Sequence, residues 1–211
     1  MIEAAAKFRD FTRDGCRLQA SSRLRHFSLC LSRAYVLLLP FLFSALAARG
    51  DSRPSEYDVK AAYLLNFGKF IRIESADVRG SFDVCVIGED PIEATLKSMT
   101  AGERINDRPV RILHLKDGTA ARACQIAFLS ASEGPRLEQD LEELRGADVL
   151  TVSDSSTFLA RGGMIEFLLI SDHVRFSVNL EAVRRTHLVL SSELLRVAYA
   201  VAGKSAKEGG Q

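Results

Sequence analysis

The sequence predicts an α/β domain with a mostly parallel central sheet flanked by helices and a C-terminal antiparallel hairpin, and three observations carry that reading. Apolar strand-like runs at 82–87, 109–115, 124–129 and 148–152 are separated by segments long enough for helices, the pattern of βαβ units. Within "RGGMIEFLLISDHVRFSVNL", residues 161–180, two further apolar runs stand too close together in sequence to lie parallel. The composition, 47% hydrophobic and 26% charged over 211 residues, is that of a globular chain with one sizeable core.

The helices have local signals. Ser55-Glu56-Tyr57-Asp58 has the form of a capping box, and Val59, Ala62, Tyr63, Leu65, Asn66, Phe67, Phe70 and Ile71 follow it as a stripe at helical spacing. A second helix is expected over 91–99, with Asp90 as its cap and Pro91 at its first position, and a third over 135–145, with Pro135 placed the same way. Near the end, Ser191-Ser192-Glu193 opens a last helix carrying Leu194, Leu195, Val197, Ala198 and Val201, and the tail "GKSAKEGGQ" is expected to fray. In the hairpin, Ile165, Phe167 and Leu169 alternate, as do Val174, Phe176 and Val178, with a turn of about three residues between them and Gly162-Gly163 as the bend that leads in.

The first 47 residues read differently. They hold seven Lys and Arg against three Asp and Glu, and Arg23, Arg25 and Arg33 precede the uncharged run Ala34–Leu46, "AYVLLLPFLFSAL". That run is short for a spanning helix, which needs about 20 residues, and Ala45-Leu46-Ala47 behind it has the small-x-small form of a cleavage site. We read residues 1–47 as a signal peptide cut before Ala48, its long leader explained by a start placed upstream of the true one, and 48–211 as a single domain. An uncleaved membrane anchor is the competing reading. Beyond the leader, 21 basic residues stand against 24 acidic ones, which excludes a strongly basic nucleic-acid footprint.

Cleavage leaves two cysteines, Cys85 in "FDVCVIG" and Cys124 in "CQIAFLS". In an oxidising compartment they allow one bridge; two buried thiols in separate strands is the alternative. No C-x-x-C is present, against a thioredoxin-type enzyme.

Motifs for catalysis and cofactors are weak. "VCVIGEDP" has a strand-glycine-helix layout without a dinucleotide or P-loop signature, and Glu89 and Asp90 would repel a phosphate there. His114, His173 and His187 sit on different elements without metal-ligand spacing. Ser191-Ser192 lacks a nucleophile signature and reads as capping. "EQDLEELR", residues 138–145, reads as a solvated helix face. Metal, cofactor and catalytic residues are therefore not assigned. In the hairpin, Glu166, Arg175, Ser177 and Asn179 occupy the positions between the apolar ones, with Glu166 and Arg175 expected to face each other as a cross-strand pair. They form either a solvated sheet face or a partner-docking surface.

Five segments, "KAAYLLNFGKFIRI" (60–73), "FDVCVIGEDP" (82–91), "ACQIAFLS" (123–130), "VLTVSDSSTFLARGGMIEFLLISDHVRFSVNL" (149–180) and "LSSELLRVA" (190–198), resemble, in order, the YfiR-like family of periplasmic proteins. The resemblance implies an exported α/β domain without enzymatic activity. It also implies repression of an inner-membrane diguanylate cyclase through the cyclase's periplasmic sensor domain, lowering cyclic-di-GMP and biofilm formation. Sequestration by an outer-membrane OmpA-like lipoprotein and a homodimeric state come with it. Cys85 and Cys124 match the cysteines of the family's strand motifs, which favours their pairing; the family's second cysteine pair has no counterpart after the leader. The runner-up is a periplasmic solute-binding module with a pocket at the carboxyl ends of the parallel strands, near Gly88 and Ser130.

Export is tested by intact mass: protein recovered from the periplasm should begin at or near Ala48, and a membrane-bound product retaining Tyr35–Leu46 would contradict it.

Overall fold

In the computed structural model, residues 54–73 and 80–203 are described; the signal-peptide region, its cleavage site and the tail from Lys204 lie outside them. The chain from Pro54 onward forms one compact unit. Helix α1 (Glu56–Phe70) leads into β1 (Ile71–Ile73), followed by β2 (Phe82–Ile87), α2 (Ile92–Met99), β3 (Arg104–Ile105), β4 (Arg108–Leu115) and the single turn α3 (Gly118–Ala121). The second half runs β5 (Ile126–Leu129), α4 (Leu137–Glu143), β6 (Leu150–Ser153), β7 (Ile165–Ile170), β8 (His173–Asn179), α5 (Leu180–Val183), β9 (Leu188–Leu190), α6 (Ser192–Val197) and β10 (Ala200–Ala202).

Eight strands form one sheet in the order β10-β8-β7-β6-β5-β2-β4-β3. β4, β2, β5, β6 and β7 are parallel neighbours, whereas β7–β8 and β3–β4 are antiparallel. A separate antiparallel pair joins β1 to β9. The fold class is the expected one, with this small second sheet added to it.

The central strands look continuously apolar because both faces are covered, as parallel sheets require. Val84, Val86, Ile126, Phe128, Leu150 and Val152 point into the larger core with α1 and α2, while Cys85, Ile87, Ala127, Leu129 and Val149 point into a second core with Leu137, Leu144 and Phe158. Cys85 and Cys124 are joined by a disulfide in this second core, with Cα atoms 6.2 Å apart, which settles the choice between a bridge and two separate thiols.

Ser55 and Asp58 form the capping box in full: Ser55 Oγ accepts from the Asp58 amide at 3.1 Å and the Asp58 carboxylate accepts from the Ser55 amide at 2.8 Å. The buried face of α1 nevertheless differs from the stripe read in the sequence. It consists of Lys60, Ala61, Leu64, Phe67 and Gly68, with Asn66 and Phe70 exposed. Two contacts turn the helix this way. Lys60 is neutralised by an aspartate 94 residues distant, Asp154, and Gly68 lies so close to Phe82 that a Cβ would come within 2.8 Å of its ring.

Helix boundaries shift slightly for local reasons. α2 begins at Ile92, with the Asp90 carboxylate accepting the Ile92 amide at 2.9 Å. α4 begins two residues after Pro135. Asp140 within the supposed solvated face is fully buried, because its carboxylate accepts the Gly118 amide at 3.0 Å at the start of α3. The last helix stops at Val197, and Val201 belongs to β10, paired in parallel with β8. The hairpin turn is two residues, Ser171 and Asp172, with φ of 49° and 60°, matching the twist of antiparallel strands as a primed turn does. Gly162 has φ 96°, as the bend requires. Gly163 is needed for space, since a Cβ there would lie 2.2 Å from the Phe158 ring.

The bridge closes a loop spanning 39 positions, worth roughly 4 kcal/mol in the chain-entropy account. Non-reducing peptide mapping should recover Cys85 linked to Cys124, and Cys85→Ser should lower stability by roughly 2–5 kcal/mol in denaturant titration. Two free thiols in periplasmic protein would contradict the bridge.

Candidate functional site

The hairpin β7–β8 divides by face and by height. In its register Ile165 faces Val178, Glu166 faces Ser177, Phe167 faces Phe176, Leu168 faces Arg175 and Ile170 faces His173. Glu166 and Arg175 are thus not opposite each other, as the sequence reading expected: a two-residue turn moves the register, and the two sit diagonally on the same face. Ile165, Phe167, Val174, Phe176 and Val178 are buried against the core. Phe167 and Phe176 meet Phe67 of α1 at ring-centroid distances of 5.9 and 5.0 Å, and Tyr63 at 6.1 and 5.4 Å.

At its base the other face is covered by the segment between β6 and β7. Glu166 accepts from the Leu159 amide at 3.1 Å, the Asn179 side chain donates to the Leu159 carbonyl at 3.2 Å, and the Asn179 amide donates to Met164 at 2.8 Å. Asn179 also caps α5, accepting from the Glu181 and Ala182 amides at 3.1 and 3.2 Å. Ser177 is only 7% exposed. Three of the four residues singled out in the sequence, Glu166, Ser177 and Asn179, therefore lie in or beside the seam that holds this segment to the hairpin.

Toward the tip the face opens. Arg175 and His173 are exposed, and Leu169, continuing the core-facing row, is 58% exposed because the strand has run beyond the core. His173 Nδ1 lies 2.6 Å from the Ser171 carbonyl. The result is a short, braced projection with Arg175 and His173 on one face and the exposed Leu169 on the other. Leu169 was legible as part of the alternation, but its exposure depends on where the core ends, which no local pattern records.

At the carboxyl ends of the parallel strands the chain packs closely on itself around Gly88 and Ser130. A Cβ on Gly88 would come within 2.7 Å of Ser132 and Glu133 side-chain atoms, and the Ser130 hydroxyl bonds the Glu89 carbonyl at 3.1 Å and Asp90 at 3.2 Å. Beside it, the nearly buried Lys60 ammonium donates to Asp154 at 2.8 Å and pairs with Glu56 at 2.6 Å. Burial would lower the Lys60 pKa, but the bonds to Asp154 and Glu56 and their charges outweigh it and raise it above the ordinary lysine value. Burial, aided by the Asp154 charge, pushes the Asp90 carboxyl up. These groups fasten α1 across the strand ends.

His114 is bonded to Glu93 at 2.8 Å and His187 to Asp148 at 3.1 Å. Among the described residues no group of three or more His, Cys, Asp or Glu could hold a metal ion, and no helix is long and apolar enough to cross a membrane. Ser191 caps α6, accepting from the Leu194 amide at 3.3 Å.

Residues 57–199 match the family model described as YfiR/HmsC-like. The chain belongs to the YfiR/HmsC-like family. The match spans every helix and nearly every strand of the described fold, from α1 to the residue before β10. Membership supports a periplasmic regulatory protein at the level of the family, and the disulfide fits an oxidising compartment. A search of curated proteins finds no match. Among solved structures, a conserved domain protein from Vibrio cholerae O1 biovar eltor is similar, with a TM-score of 0.51 at 8% identity over 70% of this chain. The aligned part covers 60% of that protein, and at this identity the likeness concerns fold alone.

The strand-end cluster yields a stability test. Lys60→Met should cost roughly 1–3 kcal/mol in denaturant unfolding, the price of a buried group left without its partner, and adding Asp154→Leu should recover part of it. Additive losses would show that Lys60 and Asp154 are not coupled.

Proposed function

We propose that this protein is a periplasmic regulatory binding protein that represses an inner-membrane diguanylate cyclase by docking on the cyclase's periplasmic sensor domain, without chemistry of its own. The observation that carries the reading is the hairpin tip: in a YfiR/HmsC-like chain, Leu169 and Arg175 are presented to solvent on strands whose base is fixed by an aromatic cluster and by the Leu159 seam. An exposed leucine on one face of the tip and a guanidinium on the other are the kinds of side chain that anchor interfaces. In this reading Arg175 and Leu169 make the contact, while Glu166, Ser177 and Asn179 hold the surface in shape.

A domain outside the cytoplasm reaches cytoplasmic catalysis only through a protein that crosses the membrane, by binding one conformation of its sensor more tightly than another. Moving a two-state equilibrium from 1:99 to 99:1 takes about 5.5 kcal/mol of differential binding, within reach of a modest interface with a few buried anchors. Release by an outer-membrane OmpA-like lipoprotein that competes for the same tip, and a homodimeric repressor, complete the proposal.

Deleting the gene should raise cellular cyclic-di-GMP and biofilm only in cells that contain the cognate cyclase. Arg175→Glu and Leu169→Asp should each weaken capture of the cyclase sensor domain about tenfold, equivalent to about 1.4 kcal/mol, with the unfolding midpoint unchanged. Unchanged cyclic-di-GMP in the deletion strain, with the protein expressed in the parent, overturns the repressor reading; unchanged capture by both variants overturns the tip as its surface.

A further inference from the structure

We propose that the cleft between β1 and the amino ends of β2 and β4 is a binding site for a small amphiphilic oxyanion, a carboxylate or phosphate carried on an apolar body. The cleft has a volume of about 360 Å³, within the usual range for small-molecule sites, roughly 300–1,000 Å³. Its charged lining is cationic throughout: Lys69 at the end of α1, Arg72 on β1 and Arg108 on β4, with no carboxylate among the described lining residues. Ile73 and Phe82 supply an apolar wall, and Gln125 contributes an amide.

Arg108 gives the decisive detail. Its guanidinium lies over the Phe82 ring, 5.6 Å from the centroid, and one terminal nitrogen donates to the Ser81 carbonyl. Its Nε is buried and has no hydrogen-bond partner among the described residues. Leaving a buried donor on a charged group unmet is costly, and a ligand oxygen in the adjoining cleft would meet it. Asp83, a carboxylate close enough to feel the Arg108 charge, is instead held by Arg111 in a two-point contact of 2.8 and 2.6 Å. Gln125 spends its oxygen on the Asp83 amide at 2.7 Å, which leaves its amide nitrogen as a donor on the same wall. Guanidinium groups match carboxylate and phosphate geometry. An apolar wall beside them selects an anion with a hydrocarbon part over a bare inorganic ion. In the sheet, β5 and β6 separate β2 from the hairpin, so the site is distinct from the proposed docking tip and does not rest on the regulatory reading.

The test titrates hexanoate, hexyl phosphate, hexanol and inorganic phosphate into the purified protein, followed by calorimetry and by backbone amide NMR. Hexanoate or hexyl phosphate should bind saturably and shift the amides of Ile73 and Gln125. The tighter of the two assigns a carboxylate or a phosphate monoester. Hexanol and inorganic phosphate should bind at least tenfold more weakly. Arg72→Gln, at an exposed position, and Lys69→Gln should each weaken binding several-fold without changing the unfolding midpoint, and Arg108→Lys, which keeps the charge but removes Nε, should weaken it about tenfold. No saturable binding of either anion, hexanol binding as well as hexanoate, inorganic phosphate binding as well as hexyl phosphate, or binding indifferent to Arg72→Gln and Lys69→Gln would each overturn the proposal.

Discussion

Phe67 and Tyr63 of α1 meet Phe167 and Phe176 of the hairpin in one aromatic cluster, and this contact joins the first element of the described fold to an antiparallel addition a hundred residues later. The parallel strands from β4 to β7 are built by successive crossovers, and the central ones, β2, β5 and β6, are buried on both faces. β8 is different. It returns antiparallel at the edge of that array, and only its core-facing row gives it a hydrophobic reason to stay. Aromatic pairs contribute about 0.5–1.5 kcal/mol each beyond the area they bury, so four such contacts between α1 and two strands form a substantial local anchor. The lysine at the other end of the buried face, Lys60, fixes the same helix to the ends of the parallel strands through Asp154. α1 is thereby held against both halves of the sheet.

The second core serves a complementary purpose. Cys85, Cys124, Leu129, Leu137 and Phe158 lie on the other side of the sheet, where the helices are short, α3 a single turn and α4 of seven residues. Short helices bury little area, and at roughly 25 cal/mol per Å² a thin layer supplies less stabilisation than a thick one. A covalent link between β2 and the residue leading into β5 offsets part of that difference. Phe158 is the hinge between this layer and the hairpin, since its ring fills the place a side chain at Gly163 would need and the segment it belongs to supplies the Leu159 bonds to Glu166 and Asn179.

Much of this was legible in the sequence. The βαβ order, the capping box at Ser55, the helices at 92 and 137, the hairpin and the two candidate bridge cysteines each follow from short-range pattern. What escaped has a common cause in long-range partners. Lys60 reads as polar until Asp154 is placed beside it, and Asp140 reads as solvated until the Gly118 amide is. Val201 reads as part of the preceding helix because it follows Leu194, Val197 and Ala198 at helical spacing between helix-favouring alanines, and pairing with Ser177 to Asn179 decides the matter. β1 and β9, at three residues each, are too short to show a period. In the candidate site, the alternation placed 166, 175, 177 and 179 on one strand face, but did not show that the face is sealed at its base and open at its tip. That distinction depends on the segment 154–164, which has no regular secondary structure to announce where it packs.

The division of the hairpin has a thermodynamic consequence. Residues at its base take part in hydrogen bonds that bury polar groups, so a change there leaves donors or acceptors unmet and costs folding free energy as well as shape. Residues at its tip, Leu169, His173 and Arg175, are exposed in the free domain, and substitutions away from buried features usually change stability by less than about 0.5 kcal/mol. The groups that position the tip and the groups it exposes thus reside in different residues, so its exposed side chains can change without endangering the fold. The positively twisted turn at Ser171 and Asp172 fits the same division: two non-glycine residues at positive φ are tolerated where the register above α1 and the Leu159 seam already fixes the strands. The tip is therefore preorganised by its base, and under the proposed docking little binding energy would go to ordering the loop.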